Sequence, residues 1–237
     1  MTPPRVLVTG GGRGIGRAIA LRFAREGAFV AVAARTRGEL ERVAAECDAA
    51  GGRGLAVELD VTDLASVQRG IETVLEATGE ALDVLVNNAG VFSIQPFAEL
   101  SPATWYRTLA INLTGPFHVT LLALRGLERG TRAHVFNVGS VASKRPFPGN
   151  AAYCASKYGL RGLTDVLRLD LAGSGLRVSN VYPGQTDTPL WDTIPGDWPR
   201  AAMNRPEDVA EVVFGAWHAP AGVDVAELEV PPRKRED

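Results

Sequence analysis

Short apolar runs alternate with longer stretches of helical periodicity along most of the chain, and few folds accommodate that rhythm. Runs of strand length are Arg5–Thr9, Phe29–Ala34, Gly54–Leu59, Leu82–Val86, Ala133–Val138, Arg177–Tyr182 and Val225–Val230. Several are nearly continuous Val, Ala and Leu, which suits strands covered on both faces. Helical patterns lie between them over Gly14–Glu26, Glu39–Ala50, Leu64–Ala77, Ala103–Leu127, Ala152–Leu171 and Glu207–Trp217. This alternation predicts an α/β fold: a Rossmann-type, doubly wound parallel sheet of about seven strands, flanked by helices on both faces. No repeat, low-complexity linker or composition shift marks a second unit, so residues 1–237 are expected to form a single domain. The longest stretch without periodicity is Gly184–Asn204, and loops of that length are usually functional or disordered. A mobile substrate lid is expected there, its apolar residues poorly buried until substrate arrives. A frayed tail is expected over Pro231–Asp237.

Composition removes several function classes. A formal net charge of −2 over 237 residues gives no basic surface for nucleic acid. Two cysteines, Cys47 and Cys154, are too few for a disulfide framework or a zinc site. His118, His134 and His218 lack metal-ligand spacing, so no metal is expected. The start, Met1-Thr2-Pro3-Pro4, has no charged and then apolar signal region. No apolar run approaches the ~20 residues of a membrane helix. These features point to a cytoplasmic protein with reduced thiols and no membrane partner.

The sharpest local signal is Thr9-Gly10-Gly11-Gly12-Arg13-Gly14-Ile15-Gly16, which follows the first strand and opens the first helix. Glycine lets backbone N–H groups approach a pyrophosphate, and a helix N-terminus adds partial positive charge there. The spacing does not fit G-x-G-x-x-G, because Ile15, Arg17 and Ile19 occupy the third-glycine positions of the possible registers. It is not a P-loop either, since Arg17-Ala18 follow Gly16. A flexible strand–helix turn would explain a glycine cluster alone; its place between strand and helix favours phosphate binding.

This turn resembles the T-G-x-x-x-G-x-G cofactor signature of the short-chain dehydrogenase/reductase family. The resemblance continues in order along the chain. Asp60-Val61 ends the third strand, Asn87-Asn88-Ala89-Gly90 follows the fourth, and Pro183-Gly184 follows the sixth, with Thr186 and Thr188 just beyond. Asn112, Ser140, Tyr153 and Lys157 fall where the family's catalytic tetrad is expected. The resemblance implies cofactor contacts at Thr9, Gly10, Gly12, Arg13, Gly14, Ile15, Gly16, Arg35, Asp60, Val61, Asn88, Ala89, Gly90, Tyr153, Lys157, Pro183, Gly184, Thr186 and Thr188.

The choice of nicotinamide is read at the end of the second strand. A carboxylate there favours the NAD 2′-hydroxyl, whereas an arginine favours a 2′-phosphate. Ala34 occupies the expected acidic position, Arg35 follows it, and no carboxylate appears before Glu39. Arg13 points to the same region in similar family members. Two guanidiniums without a carboxylate favour NADP(H); the bland alternative makes Arg35 and Arg37 solvated loop charges.

Tyr153 and Lys157 stand at i and i+4, on one helix face. A nearby ammonium is expected to lower the phenol from its usual pKa near 10, fitting it for general acid–base work. Taken alone, the pair also fits an ordinary amphipathic helix. Ser140 ends the fifth strand and can either cap it or donate to a carbonyl oxygen as charge develops. Asn112 sits inside an apolar helical run; the resemblance implies that it holds a water in a proton relay to Lys157. Cys154 fits packing better than reactivity, and Lys144-Arg145 fit a solvated loop better than an acidic-substrate site.

The activity implied is hydride exchange between a nicotinamide and a carbonyl or alcohol carbon. Two rivals share the fold: a non-catalytic dinucleotide sensor or scaffold, and an epimerase or dehydratase. The first usually lacks part of the tetrad, and the second normally carries a larger C-terminal substrate domain. Substrate walls are expected from Val91–Phe97 and from Leu190, Trp191, Ile194 and Trp198, which favours an uncharged or partly aromatic carbonyl as the small-molecule substrate. The ending lacks the Asp-Gly-Gly stretch of the 3-oxoacyl-carrier-protein reductase branch. Apolar surplus on Ala103–Leu127 and Ala152–Leu171 predicts a homodimer or homotetramer.

Overall fold

The computed structural model describes residues 3–220 and 222–232. Its strands are β1 (Arg5–Thr9), β2 (Phe29–Ala34), β3 (Arg53–Glu58), β4 (Val84–Asn87), β5 (His134–Val138), β6 (Arg177–Pro183) and β7 (Glu227–Val230). They form one seven-stranded sheet in the order β3-β2-β1-β4-β5-β6-β7. Every neighbouring pair is parallel. The helices are α1 (Gly14–Ala24), α2 (Arg37–Ala49), α3 (Leu64–Thr78), α4 (Pro102–Leu109), α5 (Gly115–Leu127), α6 (Ala151–Asp170) and α7 (Pro206–His218). Among the described residues, no helix is long and apolar enough to cross a membrane.

The period of two along a strand explains the layering. Val6 and Val8 join the core beneath α1, α2 and α7, with Ile19, Phe23, Leu40 and Val213. Leu7, between them, joins the opposite core beneath α3, α5 and α6, with Ile71, Val119 and Leu127. Both strand faces are therefore apolar, as the continuous runs require. Strand order reverses between β1 and β4, because the chain leaves at β3 and returns on the other side of β1. A ligand crevice opens at such a switch point, beyond the strand carboxyl ends.

The expected strands and helices are all present, with ends moved by one or two residues. The exception is Ala103–Leu127, expected as one helix. The structure divides it into α4, a π-helical turn at Ala110–Thr114, and α5. Pro116 explains the break: it has no N–H to give the Asn112 carbonyl, so the regular ladder cannot run through. The Gly115 N–H instead bonds the Ala110 carbonyl, one residue further back than in an α-helix. Of the expected frayed tail, Pro231 is exposed and Pro232 half-buried, lying so close to Gly184 that a Cβ there would come within 2.5 Å of Pro232 Cδ. The rest of that tail, 233–237, lies outside the described residues.

Asp83 fastens the end of the sheet opposite the crevice. Its carboxylate accepts the backbone N–H, Nε and Nη2 of Arg5 at 2.9, 2.8 and 3.0 Å. It also accepts the backbone N–H and hydroxyl of Thr131 at 2.9 and 3.2 Å. Burial pushes the carboxyl pKa up, but the Arg5 and Thr131 hydrogen bonds outweigh it, so the net shift is downward. The folded carboxylate is then the stronger acid. Its stabilisation is complete above about pH 4 and is lost as pH falls through the lower folded value. Asp83→Ala is expected to cost about 3 kcal/mol in urea unfolding at pH 7, the cost of breaking a buried pair. The gap between wild type and variant should narrow in acid. A loss under about 1 kcal/mol, the worth of a surface pair, would count against this role.

Candidate active site

The crevice holds a cavity of about 540 Å³. Its floor is the β1–α1 turn, and Asn88 fixes that turn. The Asn88 amide donates to the carbonyls of Thr9 and Gly10 at 3.0 and 3.1 Å. In return, the Thr9 hydroxyl accepts the N–H groups of Asn88 and Ala89 at 3.1 and 3.2 Å. Gly10 has φ 63°, a conformation costly for other residues. A Cβ on Gly16 would lie 2.4 Å from the Gly10 carbonyl oxygen and 2.5 Å from the Asn88 amide nitrogen. Bare backbone at both positions lets turn, helix and β4 end converge. The first turn of α1 holds no acidic residue, and no side chain caps its N–H groups. Its partial positive charge therefore faces the cavity, as an anion requires.

At one end of the cavity stand Arg13, Arg35, Glu39, Asp60 and Val61. The Arg13 guanidinium is 3.9 Å from Glu39, a loose pair. Asp60 accepts the backbone N–H and hydroxyl of Thr62 at 2.9 and 2.7 Å. Burial raises its pKa, but these two bonds and the charge of Arg35 bring the net shift downward.

Ser140, Tyr153 and Lys157 line the middle. Ser140 Oγ accepts the Ala142 N–H at 3.1 Å, which leaves its O–H to donate, here toward the Tyr153 phenol. It is thus both a strand-end cap and an available donor. Lys157 Nζ donates to the Val138 carbonyl at 2.7 Å and lies 5.7 Å from the Tyr153 ring centre. Burial pushes its pKa down to about 8. The Tyr153 phenol, against expectation, is raised: burial dominates, and the Ser140 hydroxyl offsets only part. Lys157 does not lower it, because the ammonium turns to the Val138 carbonyl. Asn112 sits in the π-helical turn, fully buried. Its Oδ1 accepts the Val91 N–H at 2.8 Å, and its Nδ2 donates to the Val91 carbonyl at 2.9 Å and to Ser156 at 3.0 Å. It joins α4, α6 and the segment after β4.

The remaining wall includes Phe92, Ile94, Phe147, Leu190, Trp191 and Trp198. Segment 184–204, expected as a substrate lid, leaves Leu190, Trp191 and Trp198 half-buried. It forms turns at Pro189–Thr193 and Arg200–Ala202, and Ile194 and Met203 are buried. Arg200 organises it, donating to Asp187, Asp192 and the Thr188 carbonyl. Long-range charge pairing of this kind leaves no periodic trace.

Of the catalytic and cofactor residues singled out in the sequence, all line this cavity except Thr9, Gly16 and Asn112, which brace it from behind; of the expected wall Val91–Phe97, only Val91, Phe92 and Ile94 line it. Ile194 lies beneath the wall instead of on it. Lys144 faces away and bridges Glu227 and Glu229. Phe147, Asn150, Gln185 and Glu39 line the cavity without having been singled out. The one available signal was position: the first two lie between Ser140 and Tyr153, which had to converge.

The donor set suits a dinucleotide: an uncapped helix N-terminus, glycines at both crowded turn positions, and hydroxyls and an ammonium in the middle. The comparisons agree. The model of the short chain dehydrogenase family matches residues 4–197. A sepiapterin reductase from Chlorobaculum tepidum is 36% identical over 234 residues, covering 96% of this chain and 95% of that one. An alcohol dehydrogenase from Thermococcus sibiricus, complexed with 5-hydroxy-NADP, superposes with a TM-score of 0.89 at 30% identity, covering 98% and 97% of the two chains. A 3-ketoacyl-(acyl-carrier-protein) reductase from Brucella melitensis, complexed with NADH, gives a TM-score of 0.87 at 30% identity, covering 95% of each. Sheet order, crevice and family match together make this chain a member of the short-chain dehydrogenase/reductase family of oxidoreductases.

Proposed function

We propose that the protein is an NADP(H)-dependent reductase of ketones or aldehydes, reversible toward alcohols, with the whole chain acting as one dinucleotide-binding domain. The observation that carries this reading is the convergence of Tyr153, Ser140 and Lys157 on the wall of the cavity whose floor is the glycine turn. A bound nicotinamide supplies or accepts the hydride. Gly10, Gly12, Gly14, Ile15 and the α1 N-terminus would hold the pyrophosphate. Asp60, Val61, Asn88, Ala89 and Gly90 would hold the adenosine side and the middle of the molecule. Pro183, Gly184, Thr186 and Thr188 would hold the nicotinamide end.

The side chains divide the remaining work. Ser140 turns its O–H from the Tyr153 phenol to the substrate oxygen as negative charge develops. Tyr153 hands that oxygen a proton, since a phenol is protonated at neutral pH, the form that reduction needs. Lys157 has N–H donors beyond the one given to Val138, and these suit a ribose hydroxyl. Asn112 fixes α6 and the Val91 backbone, so Tyr153 and Lys157 stay aligned. A non-catalytic sensor would have no use for this complete set.

Family members hold either cofactor, so the choice of NADP(H) rests on Arg35 and Arg13, with Ala34 in place of an acid. Two free cysteines suit a reducing, cytoplasmic setting. We also propose a homodimer or homotetramer. Tyr106, Leu121, Val166 and Leu169 leave large apolar surface exposed on α4, α5 and α6, more than isolated surface residues would.

Tyr153→Phe is expected to lower single-turnover NADPH oxidation with a saturating carbonyl about 10²–10⁴-fold, with the cofactor dissociation constant unchanged. Retention of more than about a tenth of the wild-type rate would remove Tyr153 as proton donor. Arg35→Asp should weaken NADPH binding roughly tenfold to a hundredfold in calorimetry and spare NADH. Equal wild-type affinity for the two cofactors would sink the NADP(H) assignment. Light scattering should report at least twice the chain mass at micromolar concentration, and a monomer throughout would refute the oligomer.

A further inference from the structure

We infer that the substrate is a flat, uncharged aromatic ketone or aldehyde, stacked on Trp191. This deepens the carbonyl-reductase reading above and rests on it.

Charge is partitioned along the cavity. Arg13, Arg35, Glu39 and Asp60 line the adenosine end, and Lys157 lines the reacting centre. Beyond Tyr153 the lining side chains are apolar or neutral, Asn150 and Gln185 being the amides. Cations near that end are engaged elsewhere. Lys144 pairs with Glu227 and Glu229, and Arg200 pairs with Asp187 and Asp192. Arg145 lies over the Phe147 ring, 5.3 Å from its centre. A carboxylate or phosphate entering this end would lose water and gain no counter-charge from the wall.

What the wall offers instead is ring surface. Tyr153 packs edge-on against Phe92 at 4.7 Å between centres, and Phe92 packs edge-on against Trp191 at 5.7 Å. Trp191 in turn lies 4.8 Å from Trp198. The chain of rings therefore runs unbroken from the proposed proton donor to the loop. Both indole N–H groups are spent inside the protein. Trp191 donates to the Thr186 carbonyl at 2.9 Å, and Trp198 donates to the Ile194 carbonyl at 3.1 Å. These bonds fix the indoles and leave them no polar group to present. A fixed ring loses little freedom on binding, and its π-surface favours another aromatic ring over an alkyl group of equal area. With the reacting carbonyl placed by Ser140 and Tyr153, the substrate's ring falls one or two bonds away, against this wall.

The test uses phenyl methyl ketone, cyclohexyl methyl ketone and 4-acetylbenzoate. Calorimetry on the wild-type NADP⁺ complex should give the phenyl ketone a dissociation constant at least about threefold below that of the cyclohexyl ketone. The carboxylated ketone should bind at least about tenfold more weakly than its parent. In Trp191→Leu with NADPH, the phenyl-to-cyclohexyl ratio of kcat/KM should fall about threefold to tenfold, through KM. That ratio cancels the different intrinsic reactivities of the ketones. Equal affinities in the wild type, or an unchanged ratio in the variant, overturns stacking on Trp191. Tighter binding of the carboxylate overturns the uncharged wall. The wild-type calorimetry decides the matter even if the variant does not fold. Should the wild type reduce no member of a broad set of aldehydes and ketones, the carbonyl-reductase reading falls and this inference with it. Reduction without aromatic preference removes this inference alone.

Discussion

The amide of Asn88 is what the rest of the site hangs from. It donates to two successive carbonyls, of Thr9 and Gly10, at the point where β1 gives way to α1. Carbonyls there would otherwise point into a crevice with no partner, a cost comparable to a lost hydrogen bond. Satisfying them from β4 turns the facing N–H groups toward the cavity. It also locks together the two strands that flank the switch point. Gly16 is the counterpart of this arrangement, because any side chain there would displace the Asn88 amide. Fold and proposed anion site are thus the same set of bonds viewed from two sides.

Much of this was legible in the chain because it is local or periodic. Strand runs such as Phe29–Ala34 announce themselves by composition, and the glycine turn by spacing. Tyr153 and Lys157 are paired by one helical turn. What was hidden depends on contacts far apart in sequence. The π-helical turn at Asn112 was masked by an apolar periodicity that continues on either side; Gly115-Pro116 was the clue, since proline cannot feed the carbonyl four residues back. The charge pairing within 184–204 was hidden for the same reason: Arg200 gathers Asp187, Asp192 and the Thr188 carbonyl. Glu39 belongs here too: in sequence it reads as an ordinary first-turn acid of a helix, and only the fold sets it beside Arg13.

The sequence also misdirected the electrostatics of Tyr153 and Lys157, and the reason is instructive. An i, i+4 pair is adjacent along the helix surface, but adjacency does not fix where a four-carbon stem delivers its charge. Here α6 lies against β5, and the ammonium reaches the Val138 carbonyl in preference to the phenol. Burial then acts on both groups in the direction that favours the neutral form: Lys157 down, Tyr153 up.

That arrangement bears on stability as well as chemistry. Burial is the sole cause acting on the Lys157 ammonium, so no carboxylate compensates it. Packing alone would place a methionine or leucine at such a buried position, because a buried ammonium without an acidic partner loses hydration. Proteins tolerate groups of this kind mainly where function demands them. The cost is limited because the surrounding bonds are redundant. Asn112 ties α6 to the Val91 backbone through Ser156, and Ser156 in turn donates to the Tyr153 carbonyl at 2.7 Å. The helix carrying the unfavourable charge is thus pinned one residue before it. Neutral, fully bonded side chains hold the position, which leaves Lys157 and Tyr153 free to be tuned by what enters the cavity.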